Sequence, residues 1–203
     1  MSEASQPESR SLLRNPWAWG IAIGLVLPLL IRPFTRHIPE PPPVVRELQA
    51  LTINPPDGVP FVLGSAVQVV AVFGMDCDCG DALVELQRLA QGFAHWELPV
   101  DVVVLASAPD AALGETWQST VDSHLQRFRV VVADSSSQEW IFRDLFDEVD
   151  QTRFETGGVV PRVALVDPQR RLRGRYPLDR AGLQEAFARA QRIAYEEAAS
   201  ESR

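Results

Sequence analysis

Cys77 and Cys79, in the stretch "VVAVFGMDCDCGDALVELQRLA" (residues 69–90), are the only cysteines of a 203-residue chain. Two thiols parted by a single residue can do two kinds of chemistry: thiol–disulfide exchange through the thiolate, or ligation of a soft metal ion. They are too few for a disulfide framework or a four-cysteine zinc site. An apolar run ends at Phe73 and an amphipathic pattern begins directly after the pair, so the thiols are predicted between the end of a strand and the start of a helix. There Cys79 would feel the positive end of the helix, which favours its thiolate. Asp76, Asp78 and Asp81 oppose this through like charge, and the balance is open at this point. A Cys77–Cys79 disulfide would close a small ring and reach normal geometry only with backbone strain. Strained disulfides are easily reduced and serve as oxidants or isomerisers. The same two sulfurs could instead hold Cu(I) in a two-coordinate site, because soft thiolates select that ion. The bland alternative is a relic pair on a domain used for docking or scaffolding.

The rest of the chain narrows the setting. A formal charge of -8 argues against a nucleic-acid partner, which would need a basic face. The positive residues are all Arg, with no Lys. Residues 15–31, "NPWAWGIAIGLVLPLLI", carry no charge and are bracketed by Arg14 and Arg32. At ~1.5 Å per residue the run covers about 25 Å, the lower end of a bilayer span. Trp17 and Trp19 suit a membrane interface, and no small-residue cleavage site follows. The expected organisation is therefore a tail (1–14), one transmembrane anchor (15–34), a stiff proline-rich spacer (35–47) and one domain (48–199). The terminal amine, Arg10 and Arg14 on one side balance Arg32, Arg36 and Arg46 on the other, so charge does not set the orientation. A thiol pair is most useful where disulfides form, which places the domain outside the cytoplasm, on the periplasmic side.

Within the domain, "INPPDGVPFVL" reads as a hairpin-type turn between short apolar segments. Ala66 to Phe73 reads as a strand buried on both faces. A helix follows, with Leu83, Leu86, Leu89, Ala90 and Phe93 on one side. Val100 to Ala106 is a second strand, and residues 109–128 a helical region opened by Asp110. Arg129 to Ala133 is a third strand and Ser135 to Phe146 a helix. Arg162 to Val166 and Leu172 to Tyr176 form an antiparallel pair around the turn "DPQR". Asp179 caps a last helix reaching about Ala199. The order predicts an α/β fold with one mixed central sheet flanked by helices.

This order, with cysteines directly after the first core strand, resembles the thioredoxin-like fold. "GGVVPRVALVD" puts Pro161 where that fold commonly has a cis-proline against the cysteine site, so the resemblance implies a cis bond there. The anchor, the proline spacer, "PDGVPFVL" and above all "ALVDPQRRLRGRYP" are similar to the Sco/SenC group, over approximately residues 44 to 190. That group's hairpin has the form L-x-D-P-x-G-R-x-R-G-x-Y, and its members handle copper for cytochrome oxidase assembly. They carry two cysteines separated by three residues, and a histidine about eight residues before the hairpin Asp, which together bind copper. Here one residue separates the cysteines, and counting back from Asp167 gives Val159 in place of the histidine. His37, His95 and His124 stand elsewhere: His37 beside the anchor, the other two at helix ends.

The first expectation is thus a membrane-tethered, thioredoxin-like thiol–disulfide oxidoreductase acting on thiols of a client protein. Cys77 would attack, Cys79 resolve, and Pro161 lie against them. The alternative is a Cu(I) carrier to a copper-accepting membrane protein, with Cys77 and Cys79 as ligands and another side chain, Met75 for instance, completing the site. The third is a scaffold without chemistry. Gly157 and Gly158 do not make a nucleotide fingerprint.

Overall fold

Val67–Phe73 is apolar at every position but Gln68, and in the computed structural model all seven residues are buried. The described residues are 42–53, 60–73, 80–106, 125–133, 135–147, 152 and 159–201. The expected anchor, the turn at 54–59, the cysteine loop at 74–79 and the bulk of the helix expected at 109–128 lie outside them. Two compact units divide the chain, residues 1–40 and 41–203, and every described residue belongs to the second.

In order along the chain the elements are β1 (Arg46–Glu47), β2 (Thr52–Ile53), β3 (Phe61–Val62), β4 (Val67–Phe73), α1 (Gly80–His95), β5 (Val100–Ala106), β6 (Phe128–Val132), α2 (Ser135–Asp144), β7 (Val159–Val166), β8 (Arg171–Pro177) and α3 (Arg180–Glu201). Six strands form one mixed sheet in the order β1-β8-β7-β4-β5-β6, and β2 pairs with β3 beside it. β4 runs parallel to β5 and β5 to β6, while β7 is antiparallel to both β4 and β8.

The continuous apolar run of β4 follows from the double cover of the sheet. Val67, Val69, Ala71 and Phe73 pack under α1 and α3; Val70 and Val72 pack with Ile53, Phe61 and Leu63 and with Ile141, Phe142, Leu145 and Phe146 from α2 and its end. α1 buries the five residues its pattern predicts. At about 1.5–3 kcal/mol for each large side chain, this face outweighs the exposed Arg88–Glu85 pair, worth under about 1 kcal/mol. Phe93 stacks on Phe187 of α3 at 4.8 Å. Gly92 permits that approach, since a Cβ there would come within 3.2 Å of the Phe187 ring. Arg175 closes the end of α2 by donating to the carbonyls of Leu145 (2.6 Å) and Phe146 (3.0 Å). Asp179 caps α3 as expected, accepting from the Gly182 amide at 2.8 Å.

Three boundaries differ from expectation. The chain joins the sheet before residue 48: Val45 donates to the Leu172 carbonyl at 2.8 Å, and Arg46 and Glu47 pair with β8. A two-residue edge strand of charged residues has no period to read. The strand expected from Arg129 starts at Phe128, so the preceding helical region cannot reach that residue. β7 begins at Val159 rather than Arg162.

The β7–β8 hairpin is the most heavily hydrogen-bonded turn described. Asp167 is fully buried, and its carboxylate accepts from the amides of Gln169 (3.0 Å) and Arg171 (2.9 Å), from Arg171 Nε (2.7 Å) and from Arg173 Nη1 (3.3 Å). Val166 opposes Leu172 but Leu165 opposes Gly174, so Arg173 is the extra residue of a bulge. The bulge turns Leu172 to one core and Tyr176 to the other. Arg170 takes φ 58°, where the resembled hairpin has glycine. Its Cγ would lie 2.4 Å from a Cβ on Gly64, itself at φ 75°. Gln68 locks the Gly64 turn, accepting from the Gly64 amide (2.8 Å) and donating to the Val62 carbonyl (3.2 Å) and Ser65 Oγ (3.2 Å).

Candidate functional site

A site in an open α/β sheet lies beyond the strand ends where the order changes direction. β4 is that strand, parallel to β5 on one side and antiparallel to β7 on the other. Residues 74–79, which hold Cys77 and Cys79, connect its last residue, Phe73, to the first residue of α1, Gly80. The sequence thus puts both thiols in a six-residue connection between the sheet's central strand and a 16-residue helix. The cysteines, Asp76, Asp78 and Met75 lie outside the described residues, as do His37, His124, Gly157 and Gly158.

The surroundings of this connection are described on the β7 side. Phe73 pairs with Val159, and Ala71 with Val163. β7 therefore advances four residues where β4 advances two. Pro161 stands inside this irregular stretch, where its lack of an N–H removes a ladder donor. Bulges of this kind re-aim the chain beside functional sites, and the proline in "VVPRV" was the signal for it. The cis bond expected before Pro161 falls on a residue whose side chain lies outside the described ones.

Position 159, where the resembled family has its histidine, is brought opposite the last residue before the cysteine connection. Its residue is valine, which has no ligating atom. His95 is the last residue of α1 and exposed. At ~1.5 Å per residue it stands about 22 Å along the helix from Gly80, too far to replace that ligand. Among the described residues no group of three or more His, Cys, Asp or Glu could hold a metal ion.

At the start of α1, Gly80 has open space, with nothing within 4 Å of a Cβ built on it. Asp81 beside it is exposed. The first amides of the helix present a positive field to whatever precedes Gly80. β8 ends at the same edge, since Pro177 pairs with Arg162, and α3 starts there with Arg180. Both α1 and α3 thus point their N-terminal ends at the cysteine edge of the sheet. The β8 residue just inside that edge, Tyr176, is buried, and burial raises its phenol above the ordinary value of 10.0. Arg189 lowers it in opposition, Glu185 adds to the rise and Arg173 opposes it. A cavity of about 270 Å³ lined by Leu98, Val100, Leu125 and Phe128 lies where β5 and β6 begin, at the far end of the sheet. It is not part of this site.

No protein-family model matches the chain, and no curated protein matches it in sequence. Solved structures do. A SCO1/SenC family lipoprotein from Bacillus anthracis superposes with a TM-score of 0.58 at 14% identity, over 73% of this chain and 95% of that one. BsSco, described as a member of the Sco family of cytochrome c oxidase assembly proteins with a disulfide switch, gives 0.60 at 11% identity, over 77% and 99%. A thio-disulfide isomerase from Thermus thermophilus gives 0.50 at 18% identity, over 75% and 97%. The fold of the chain is therefore like that of these Sco structures, a mixed sheet between helices of the thioredoxin type.

Proposed function

We propose that the chain is a membrane-tethered, extracytoplasmic protein that exchanges disulfides with thiols of a client protein. The observation that carries this reading is the placement of the only two thiols between the central strand and the N-terminus of α1, beside a β7 position that offers valine instead of a metal ligand. The lipoprotein name of the Bacillus anthracis neighbour and the disulfide switch of BsSco support the setting and the chemistry. The transmembrane expectation at residues 15–34 belongs to this proposal; among the described residues no helix is long and apolar enough to cross a membrane.

In the reducing direction the Cys77 thiolate attacks one sulfur of a client disulfide. A Cys77–client bond forms, the client S–S bond breaks, and the second client sulfur leaves as a thiolate that takes a proton. The Cys79 thiolate then attacks the Cys77 sulfur, forming the Cys77–Cys79 disulfide and releasing the other client thiol. Two electrons pass from the pair to the client, and a strained product disulfide favours the reverse step, oxidation of a client dithiol. Pro161, in the irregular stretch of β7, is assigned to hold the reacting segment at this edge.

The test is trapping. In the full chain, Cys79→Ser should accumulate a mixed disulfide with client protein and Cys77→Ser should not. Equal trapping would overturn the division of roles, and no trapping by either would overturn thiol exchange. The second reading, a Cu(I) carrier to a copper-accepting membrane protein, draws on the Sco-like fold. A Cu(I) titration under a competing chelator decides it. Tight one-to-one binding lost in Cys77→Ser would establish the carrier. Weak binding that rises at least about tenfold in Val159→His, or ~1.4 kcal/mol, would show that the missing imidazole had removed the site.

A further inference from the structure

Between α1 and α3 runs a groove of about 220 Å³, formed by Glu85, Arg88 and Leu89 on one side and Arg180, Leu183, Gln184 and Phe187 on the other. Its floor is apolar: Leu89 and Leu183 are buried and Phe187 is half-buried. Its rim is charged. α1 and α3 start at the same edge of the sheet, so the groove follows the first two turns of α3 near that edge.

The rim charges face solvent unequally. Glu85 takes the Arg88 guanidinium in an exposed pair, a contact that an incoming carboxylate can exchange into at little cost. Arg180 is exposed and has no ion-pair or hydrogen-bond partner among the described residues. It is also a cation at the positive end of its helix, a placement that helix electrostatics disfavours. Asp179, its neighbour in the chain, accepts from the Gly182 amide and offsets the arginine's charge without bonding to it. Asp81 lies one turn before Glu85 on the same side of α1, so the cationic stretch is confined to Arg88 and Arg180. Among the lining residues two arginines face one glutamate, so the groove itself carries a single excess positive charge on a chain with a net charge of -8.

We infer that the α1–α3 groove is the docking surface for the client segment next to its reacting cysteine. The segment it fits is extended, with an apolar side chain for the Leu89, Leu183 and Phe187 floor and an acidic side chain for Arg180 and Arg88. This rests on the thiol-exchange reading for its purpose, while binding itself requires no thiol.

The experiment uses the full chain and a short fluorescent peptide carrying one leucine and two glutamates around a serine in place of cysteine, so that no exchange occurs. A second peptide carries lysines in place of the glutamates. The acidic peptide should bind and the lysine peptide should not. Arg180→Glu should weaken the acidic peptide roughly three- to fivefold, as expected for a rim charge. Gln184→Trp, which fills the groove from an exposed position, should abolish binding, and Arg129→Glu, the same charge change on distant β6, should leave it unaltered. The advantage of the acidic peptide should fade in high salt. Equal binding of the two peptides, equal losses in Arg180→Glu and Arg129→Glu, or full binding by Gln184→Trp would each overturn the inference. Wild-type exchange with a small neutral disulfide, run alongside, reports on the thiol reading alone. Its absence with groove binding intact would sink that reading and leave the groove standing.

Discussion

At one end of the β4–β7 pair, Gln68 faces Val166 in register and side chains close the backbone on every side: Gln68 on the Gly64 turn, Asp167 on the hairpin, and Arg171 and Arg173 on Asp167. At the other, Phe73 faces Val159 across an irregular ladder, and the chain enters the cysteine connection. The same two strands therefore carry a locked end and a chemical end. The registration of the strands is fixed seven residues from Val159 by groups that lie outside the cysteine connection.

Breaking the locked end should have the largest effect. Asp167→Asn removes the carboxylate that faces the Arg173 guanidinium, which is only 8% exposed and whose Nε already lacks a partner. Stability should fall by about 3 kcal/mol or more, the usual cost of stranding one charge of a buried pair, read as a lower urea midpoint at constant slope. A loss under about 1 kcal/mol would mean the hairpin does not hold the sheet and the contrast between ends would go. A smaller, opposite effect is expected next door. Arg170 holds a left-handed conformation that costs an L side chain about 1–2 kcal/mol, so Arg170→Gly should stabilise by about 0.5–1 kcal/mol after glycine's own entropy cost.

The smallest effect concerns the chemical end and appears only in alkali. Burial raises the Tyr176 pKa above 10.0, so the unfolded chain loses its proton first. The stability tied to the neutral phenol is complete below pH 10.0 and is lost as pH rises through the folded value. Wild type should therefore lose more stability than Tyr176→Phe between about pH 8 and pH 11. Matching losses would show that this residue is not held away from water.

The parts of the fold legible in the sequence were those with a period. β4, β5 and α1 announced themselves because burial on two faces, or on one helical stripe, writes an apolar pattern into a short segment. Asp179 and the "DPQR" turn were legible because capping and turn chemistry is local. β1 was not, since Arg46 and Glu47 are strand only through Leu172 and Arg171, more than a hundred residues on. The bulge at Arg173 and the left-handed Arg170 also arise from pairing and carry no local mark. For the site, the two thiols and the valine at 159 could be read from type and spacing. The meeting of Arg88 with Arg180 could not, because it depends on two helices starting from one edge.

β1 has a mechanical side as well. It is the first described strand, at the rim of the sheet, attached through the Val45 and Leu48 amides to Leu172 and Arg170 at 2.8 Å each. Tension delivered through the residues before it reaches this rim strand first, and these two hydrogen bonds, with the bond of Arg46 to the Arg143 carbonyl at 2.8 Å, yield before the load passes to the β7–β8 hairpin. The domain thus carries its own strain relief: a tug on the leading segment is absorbed at the rim, where detachment frees Leu48 from one core and leaves β4, β5, β6 and β7 paired.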